Sequence, residues 1–168
     1  MLAVFAIVVV AALVYANSLS GPFVFDDYRA IVGNQTIRSL SIDTVLHPAR
    51  QTPVAGRPLA NLSFALNYAW SGDAVWSYHL VNITIHMLAA LALFGVLRRT
   101  PVWPPVNADS ADHLALFIAL AWLVHPLNTD AVNYLTQRTE SLAGLFVLVT
   151  LYCAIRAHQE RGDRWGGA

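Results

Sequence analysis

The chain alternates between long apolar runs and short polar connections. Four runs, residues 2–17, 78–97, 111–125 and 141–157, approach the roughly 20 helical residues needed to cross a bilayer core of about 30 Å. The third is short and needs help from its flanks. Backbone groups in hydrocarbon must bond internally, so these runs are expected as helices. The apolar/polar alternation of a membrane β-barrel is absent. The pattern predicts an all-α, polytopic membrane protein with about four transmembrane helices and an exported loop carrying short juxtamembrane helices. Its segments are helix 1 at 1–17, the exported loop at 18–77, helix 2 at 78–97 and a cytoplasmic turn at 98–110. Helix 3 follows at 111–125, then an exported segment at 126–140, helix 4 at 141–157 and a cytoplasmic tail at 158–168.

The first run could imitate a signal peptide, and small residues follow it at Ala16, Asn17 and Ser18. No basic residue precedes it, and further apolar runs follow, so it reads as an uncleaved anchor. The loop at 18–77 is too long for a plain connector. Residues 41–46 suit a helical turn. Pro58 suits a first helical turn, and Leu59, Leu62 and Leu66 then share one face beside Phe64, Tyr68 and Trp70. That predicts an amphipathic helix with interfacial aromatics at 58–70. Pro101, Pro104 and Pro105 stiffen the turn after helix 2.

Composition strengthens the membrane reading. Hydrophobic residues make up 57% of the 168, charged ones 12%, about half the share usual in soluble domains. The ten basic residues are all Arg and ten acids balance them, so net charge points to no nucleic-acid partner. Arg98, Arg99, Arg156, Arg161 and Arg164 follow helices 2 and 4. Arg29, Arg38, Arg50, Arg57 and Arg138 lie on the other side. Because Arg98 and Arg99 abut a helix end, the charge pattern favours a cytoplasmic N-terminus. Cys153, in an apolar run, reads as a buried small hydrophobe.

Candidate chemistry gathers at the helix ends. Asp26 and Asp27, in Phe-Val-Phe-Asp-Asp-Tyr at 23–28, could act as a general base on a hydroxyl, ligate a hard cation, or form an ordinary turn. His79, Asn82 and His86 lie on one face of helix 2. They read as helix-to-helix hydrogen bonding or, with too few ligands, as a metal site. Pro126 ends helix 3 at His125. Asp130, Tyr134, Gln137 and Ser141 would then share a face. Arg138, beside Glu140, could clamp a phosphate, pair locally or snorkel. Arg57, at a helix start, could contact an anion or be a solvated loop charge. No metal site is expected.

These blocks together resemble the start of the transmembrane-and-tetratricopeptide-repeat O-mannosyltransferases and their bacterial relatives. The resemblance is carried by Tyr-Ala-Asn-Ser-Leu-Ser-Gly-Pro-Phe-Val-Phe-Asp-Asp at 15–27 and by Arg-Pro-Leu-x-Asn-Leu-Ser-Phe-x-Leu-Asn-Tyr at 57–68. Tyr-His-Leu-x-Asn at 78–82 with His86 adds to it, as do His-Pro-Leu-x-Thr-x-Ala-Val at 125–132 and Gln-Arg-x-Glu-Ser-Leu at 137–142. It implies a GT-C type glycosyltransferase that takes a sugar, mannose by analogy, from a polyprenyl-phosphate donor. Transfer to a Ser/Thr hydroxyl of an acceptor protein inverts the anomeric centre on the non-cytoplasmic side. It implies Asp27 as base with Asp26 in support, and Arg57, His125, Arg138 and Glu140 as donor-phosphate or substrate contacts. His79, Asn82 and His86 would form a supporting polar face. No cofactor beyond the lipid-linked donor is implied. The family carries many more membrane helices followed by repeats, so the chain is expected to be the N-terminal part of such a protein, in a bacterial inner membrane. Two other readings stand beside it: a non-catalytic scaffold packing against partner helices, and a proton-relay module built on His79, His86 and Asp130.

Overall fold

A computed structural model describes residues 1–100 and 107–165. Those residues are helical or irregular, with no strand among them, so the expected all-α class holds. Seven α-helices follow in order: α1 (Leu2–Tyr15), α2 (Ile42–Leu46), α3 (Pro58–Ser71), α4 (Val75–Leu97), α5 (Ala108–Leu123), α6 (Asn128–Asn133) and α7 (Arg138–Trp165). Tighter turns sit between them, notably Ala16–Ser20 after α1 and Leu135–Gln137 before α7.

Among the described residues three stretches are long and apolar enough to cross a membrane: Leu2–Ser20, Val75–Leu97 and Leu135–Glu160. The third expected span, α5, has 16 residues, about 24 Å at 1.5 Å per residue, short of the hydrocarbon core. Its ends are set by local chemistry. Asn107 caps the start by accepting the Ser110 N–H at 2.8 Å, and Pro126 stops the helix. Helices α4 and α7 extend beyond their expected bounds. Gly72, at φ 61°, turns the chain sharply enough that α4 starts at Val75. α7 starts at Arg138 and continues into the segment expected as a tail. Residues 101–106 of the turn expected at 98–110 lie outside the described residues.

α4 is the central helix, packed against α1, α5 and α7. At one end Tyr15 Oη donates to the Leu123 carbonyl at 3.0 Å, and His86 Nε2 meets the same oxygen at 3.0 Å. That carbonyl belongs to the last turn of α5, where no i+4 donor closes the helix, so two neighbouring helices cap it. At the other end Arg98 pairs with Asp112 at 2.6 Å, and Gln159 Nε2 reaches the Arg99 carbonyl at 3.3 Å. The four long helices therefore alternate in direction. The interior between α1, α4 and α5 is built on Ile7, Ala11, Ala90, Phe94, Ala115 and Ala119, and its alanines let helix axes approach.

The long loop is a folded cap. Ile31, Ile37, Val45, Val54, Phe64 and Tyr78 form its core. Asn61 Nδ2 holds the Val45 carbonyl at 2.8 Å, and Asn34 Nδ2 donates to Asn61 Oδ1 at 3.0 Å. Arg38 lies over the Tyr68 ring at 4.1 Å and pairs with Asp73 at 2.9 Å. Helix α3 forms where expected and is two-sided. Ala60, Asn61, Phe64 and Asn67 face inward. Leu59, Leu66 and Trp70 remain outside, the arrangement of a helix lying along an apolar surface. Cys153 departs from expectation. It is exposed on α7, whose apolar outer residues Phe146, Val147 and Leu151 are also uncovered.

Candidate active site

The acid pair divides into two different environments. Asp27 is fully enclosed, at 0% exposure. Its Oδ1 accepts the Thr136 N–H at 2.8 Å and the Thr136 hydroxyl at 2.6 Å, and its Oδ2 accepts the Val24 N–H at 3.0 Å. A buried carboxylate needs such donors, because an unpaired charge out of water is costly. Asp27 thus ties the acidic loop to the turn that opens α7. Asp26 is only partly covered. Its N–H donates to the Tyr134 phenol oxygen at 3.2 Å, and its carboxylate lies beside the same phenol. The residue before it, Phe25, sits in left-handed backbone geometry at φ 46°. That conformation costs a bulky residue about 1 kcal/mol or more, and here it turns Asp26 outward while Asp27 turns inward. Burial pushes the Tyr134 phenol above its ordinary value, with the carboxylates of Asp26 and Asp27 acting in the same direction.

Arg138 occupies a different place from the phosphate contact expected of it. It is 0% exposed and its guanidinium is spent inside the protein. Nε donates to Asn82 Oδ1 at 2.7 Å. Nη2 donates to the Tyr78 carbonyl at 2.9 Å and to Asn67 Oδ1 at 3.0 Å, and Nη1 approaches the Ser63 carbonyl at 3.4 Å and its hydroxyl at 3.5 Å. The group also stacks on Phe64 at 4.3 Å. It forms no ion pair with any described residue. In this arrangement Arg138 locks α3, α4 and α7 together and has no donor left for a ligand.

Arg57 and Glu140 do come together. Arg57 pairs with Glu140 at 3.2 Å and donates to the Thr139 hydroxyl at 2.8 Å. Both ionic groups are about half exposed. They head a cleft of about 370 Å³ whose remaining walls, including Pro58, Leu59, Leu142, Ala143 and Phe146, are apolar. Thr139 in turn donates to the Thr136 carbonyl at 3.3 Å. One chain of hydrogen bonds therefore runs from Asp27 through Thr136 and Thr139 to Arg57. His125 is exposed at the end of α5, where its Nδ1 accepts the Leu127 N–H at 3.3 Å. It bonds to neither the acid pair nor Arg57.

The polar face of α4 is used residue by residue. Asn82 accepts from Arg138 and donates to the Val132 carbonyl at 3.2 Å. His86 caps α5, as described, and stacks beside Trp122 at 4.7 Å. His79 Nε2 meets the Gly21 carbonyl at 3.3 Å. A Cβ at position 21 would stand 3.0 Å from that nitrogen, so glycine permits the approach. Among the described residues no three His, Cys, Asp or Glu side chains gather as metal ligands. Thr136, Asn67 and Ser63 escaped the sequence reading. Each is a small polar residue whose role depends on what folds over it. The signal available was Asn67 and Asn61 on the same α3 as Phe64, polar groups that a solvated helix face would not have enclosed.

No family model matches the chain, and no solved structure matches it. Curated proteins do. Protein O-mannosyl-transferase TMTC2 of Mus musculus is 34% identical over 165 residues, covering 90% of this chain and 19% of that protein. Protein O-mannosyl-transferase TMTC4 of Mus musculus is 33% identical over 177 residues, 94% of this chain and 23% of that protein. Protein O-mannosyl-transferase Tmtc2 of Drosophila melanogaster is 35% identical over 167 residues, 91% of this chain and 17% of that protein. The chain spans about a fifth of the length of these relatives. All are animal proteins, so the expected bacterial inner membrane draws no support from them. With nine-tenths of its residues aligned at this identity, the chain belongs to the TMTC protein O-mannosyl-transferase family, as a counterpart of one segment of its members.

Proposed function

We propose that this chain forms the catalytic-loop portion of a membrane glycosyltransferase that moves mannose from a polyprenyl-phosphate donor to a Ser/Thr hydroxyl on the non-cytoplasmic face. The observation that carries this is the division of labour in the acid pair. Asp27 is fully bonded and buried, while the neighbouring Asp26 is partly exposed, its carboxylate beside the Tyr134 phenol. A base must reach its substrate, so Asp26 takes that role and Asp27 positions it. The Asp26 carboxylate accepts the hydroxyl proton as the hydroxyl oxygen attacks the anomeric carbon. The bond from that carbon to the phosphate oxygen breaks, and its electron pair leaves with the polyprenyl phosphate. The configuration inverts.

The cleft between α3 and α7 suits the donor lipid. Its apolar walls match a polyprenyl chain, and Arg57 at its head can meet the phosphate. Releasing Arg57 from Glu140 involves an exposed ion pair, which is worth little. The arginine pattern supports a cytoplasmic N-terminus, which puts the acidic loop outside.

The test is transfer by the membrane-embedded protein, together with any segment that follows Ala168 in its reading frame. Polyprenyl-phosphate mannose and a Ser/Thr peptide are supplied, and the peptide gain of one hexose is read by mass. Asp26→Asn should lower turnover by about 100-fold or more with unfolding unchanged. Transfer by that variant at the wild-type rate removes Asp26 from the mechanism, and no transfer by the wild type rejects the function.

A further inference from the structure

A second cavity lies beside the acidic loop, between the turn at 16–20, the His79 face of α4 and helix α6. Its volume is about 490 Å³, within the range of roughly 300–1,000 Å³ usual for small-molecule sites. Unlike the cleft at Arg57, it gathers several polar side chains, Asn17, Ser18, His79, Thr129, Asp130 and Tyr134, on a wall that also carries apolar surface at Pro22 and Val24.

These polar groups differ in what they have left to offer. Ser18 donates to Asn133 Oδ1 at 2.5 Å, so that pair is largely satisfied. The side chains of Asn17, Thr129 and Asp130 bond to none of the described residues. Tyr134 accepts the Asp26 N–H at 3.2 Å, with the Asp26 carboxylate beside its phenol. His79 is 98% enclosed (2% exposed). Its Nδ1 is a buried polar atom with no partner among the described residues, an uncommon state that a ligand or water relieves.

The cavity carries no lysine or arginine. Its one charged group is the Asp130 carboxylate, which repels a phosphate and accepts two adjacent hydroxyls. Carboxamide, hydroxyl and phenol groups around it both donate and accept. The apolar strip and the Tyr134 ring offer surface to C–H groups. We propose that this cavity is a subsite for a neutral hexopyranose, with Asp130 and Asn17 holding its hydroxyls and Tyr134 bordering its inner end.

The subsite rests on the glycosyltransferase reading, since its value is that Tyr134 places the sugar next to Asp26. The same sugar chemistry can arrive on a lipid phosphate or on a soluble glycoside, and the experiment separates the two.

Equilibrium binding of three radiolabelled probes to the nanodisc-embedded protein tests it: polyprenyl-phosphate mannose, polyprenyl phosphate and methyl α-mannopyranoside. Asp130→Ala and Asn17→Ala both change exposed side chains and are read in parallel, with unfolding as the control. At least tenfold weaker binding of a sugar-bearing probe in both variants, with polyprenyl phosphate unchanged, supports the subsite. Loss confined to the lipid-linked probe marks the donor sugar, and loss confined to the glycoside marks a soluble source. Equal affinity of wild type and variants for both sugar probes overturns the subsite. So does binding of the lipid phosphate with no gain from its sugar, which leaves the glycosyltransferase reading standing. A wild type that binds neither lipid but loses the glycoside on Asp130→Ala rejects that reading and keeps the subsite.

Discussion

Replacing Arg138 with methionine separates a structural guanidinium from a phosphate ligand. Methionine keeps much of the stem volume and removes every donor. Three acceptors lose close partners: Asn82 Oδ1 at 2.7 Å, the Tyr78 carbonyl at 2.9 Å and Asn67 Oδ1 at 3.0 Å. Each orphaned buried acceptor costs about 1 kcal/mol or more, and contacts of this kind within membrane helices average about 0.6 kcal/mol. The three together cost about 2–3 kcal/mol. Losing the cation over Phe64 at 4.3 Å adds about 1 kcal/mol. Relief of burying a charge without a carboxylate partner offsets part of this. The expected net loss is about 2–3 kcal/mol, against about 0.5 kcal/mol or less for an exposed ligand-binding arginine. Unfolding by SDS titration from mixed micelles, followed by tryptophan fluorescence, measures it without donor lipid. Adding Asn67→Leu to Arg138→Met should restore about 1 kcal/mol, because the second change removes an acceptor the first left unpaired. An Arg138→Met variant within about 0.5 kcal/mol of wild type would refute the internal-lock assignment.

Other consequences are more local. Thr136→Val keeps the backbone bond to Asp27 and deletes the 2.6 Å hydroxyl bond; with a charged acceptor this should cost about 1.5–3 kcal/mol in the same titration and slow transfer by loosening the acidic loop. Gly21→Ala brings a Cβ to 3.0 Å from His79 Nε2, so the loop at 21–24 must shift; a cysteine placed at Pro22 should label faster in that background, and unchanged labelling contradicts the contact. The raised Tyr134 phenol favours the neutral form when folded, so its contribution is complete below the ordinary value of 10.0 and is lost as pH rises through the higher folded value. A pH-stability profile above 10 should therefore fall less steeply in Tyr134→Phe than in wild type. Arg38→Gln removes a partly shielded pair and the stacking on Tyr68 and should lower stability by about 1 kcal/mol.

The sequence alone determined the parts of this protein that depend on neighbours along the chain. Apolar runs announced α1, α4, α5 and α7, because a helix in lipid needs only length and composition. Pro58 and the spacing of Leu59, Leu62 and Leu66 announced α3. Pro126 marked the end of α5, and two adjacent carboxylates after the first apolar run marked the candidate site. Tertiary structure decided what each polar side chain does, because enclosure depends on elements far apart in sequence. Arg138 and Arg57 are both arginines at helix starts. Only the packing of α3 over α4 and α7 makes one an internal lock and the other the head of an open cleft. Asp26 and Asp27 are chemically identical neighbours, and only the backbone turn at Phe25 and the arrival of Thr136, over a hundred residues later, turns one inward and leaves the other facing out.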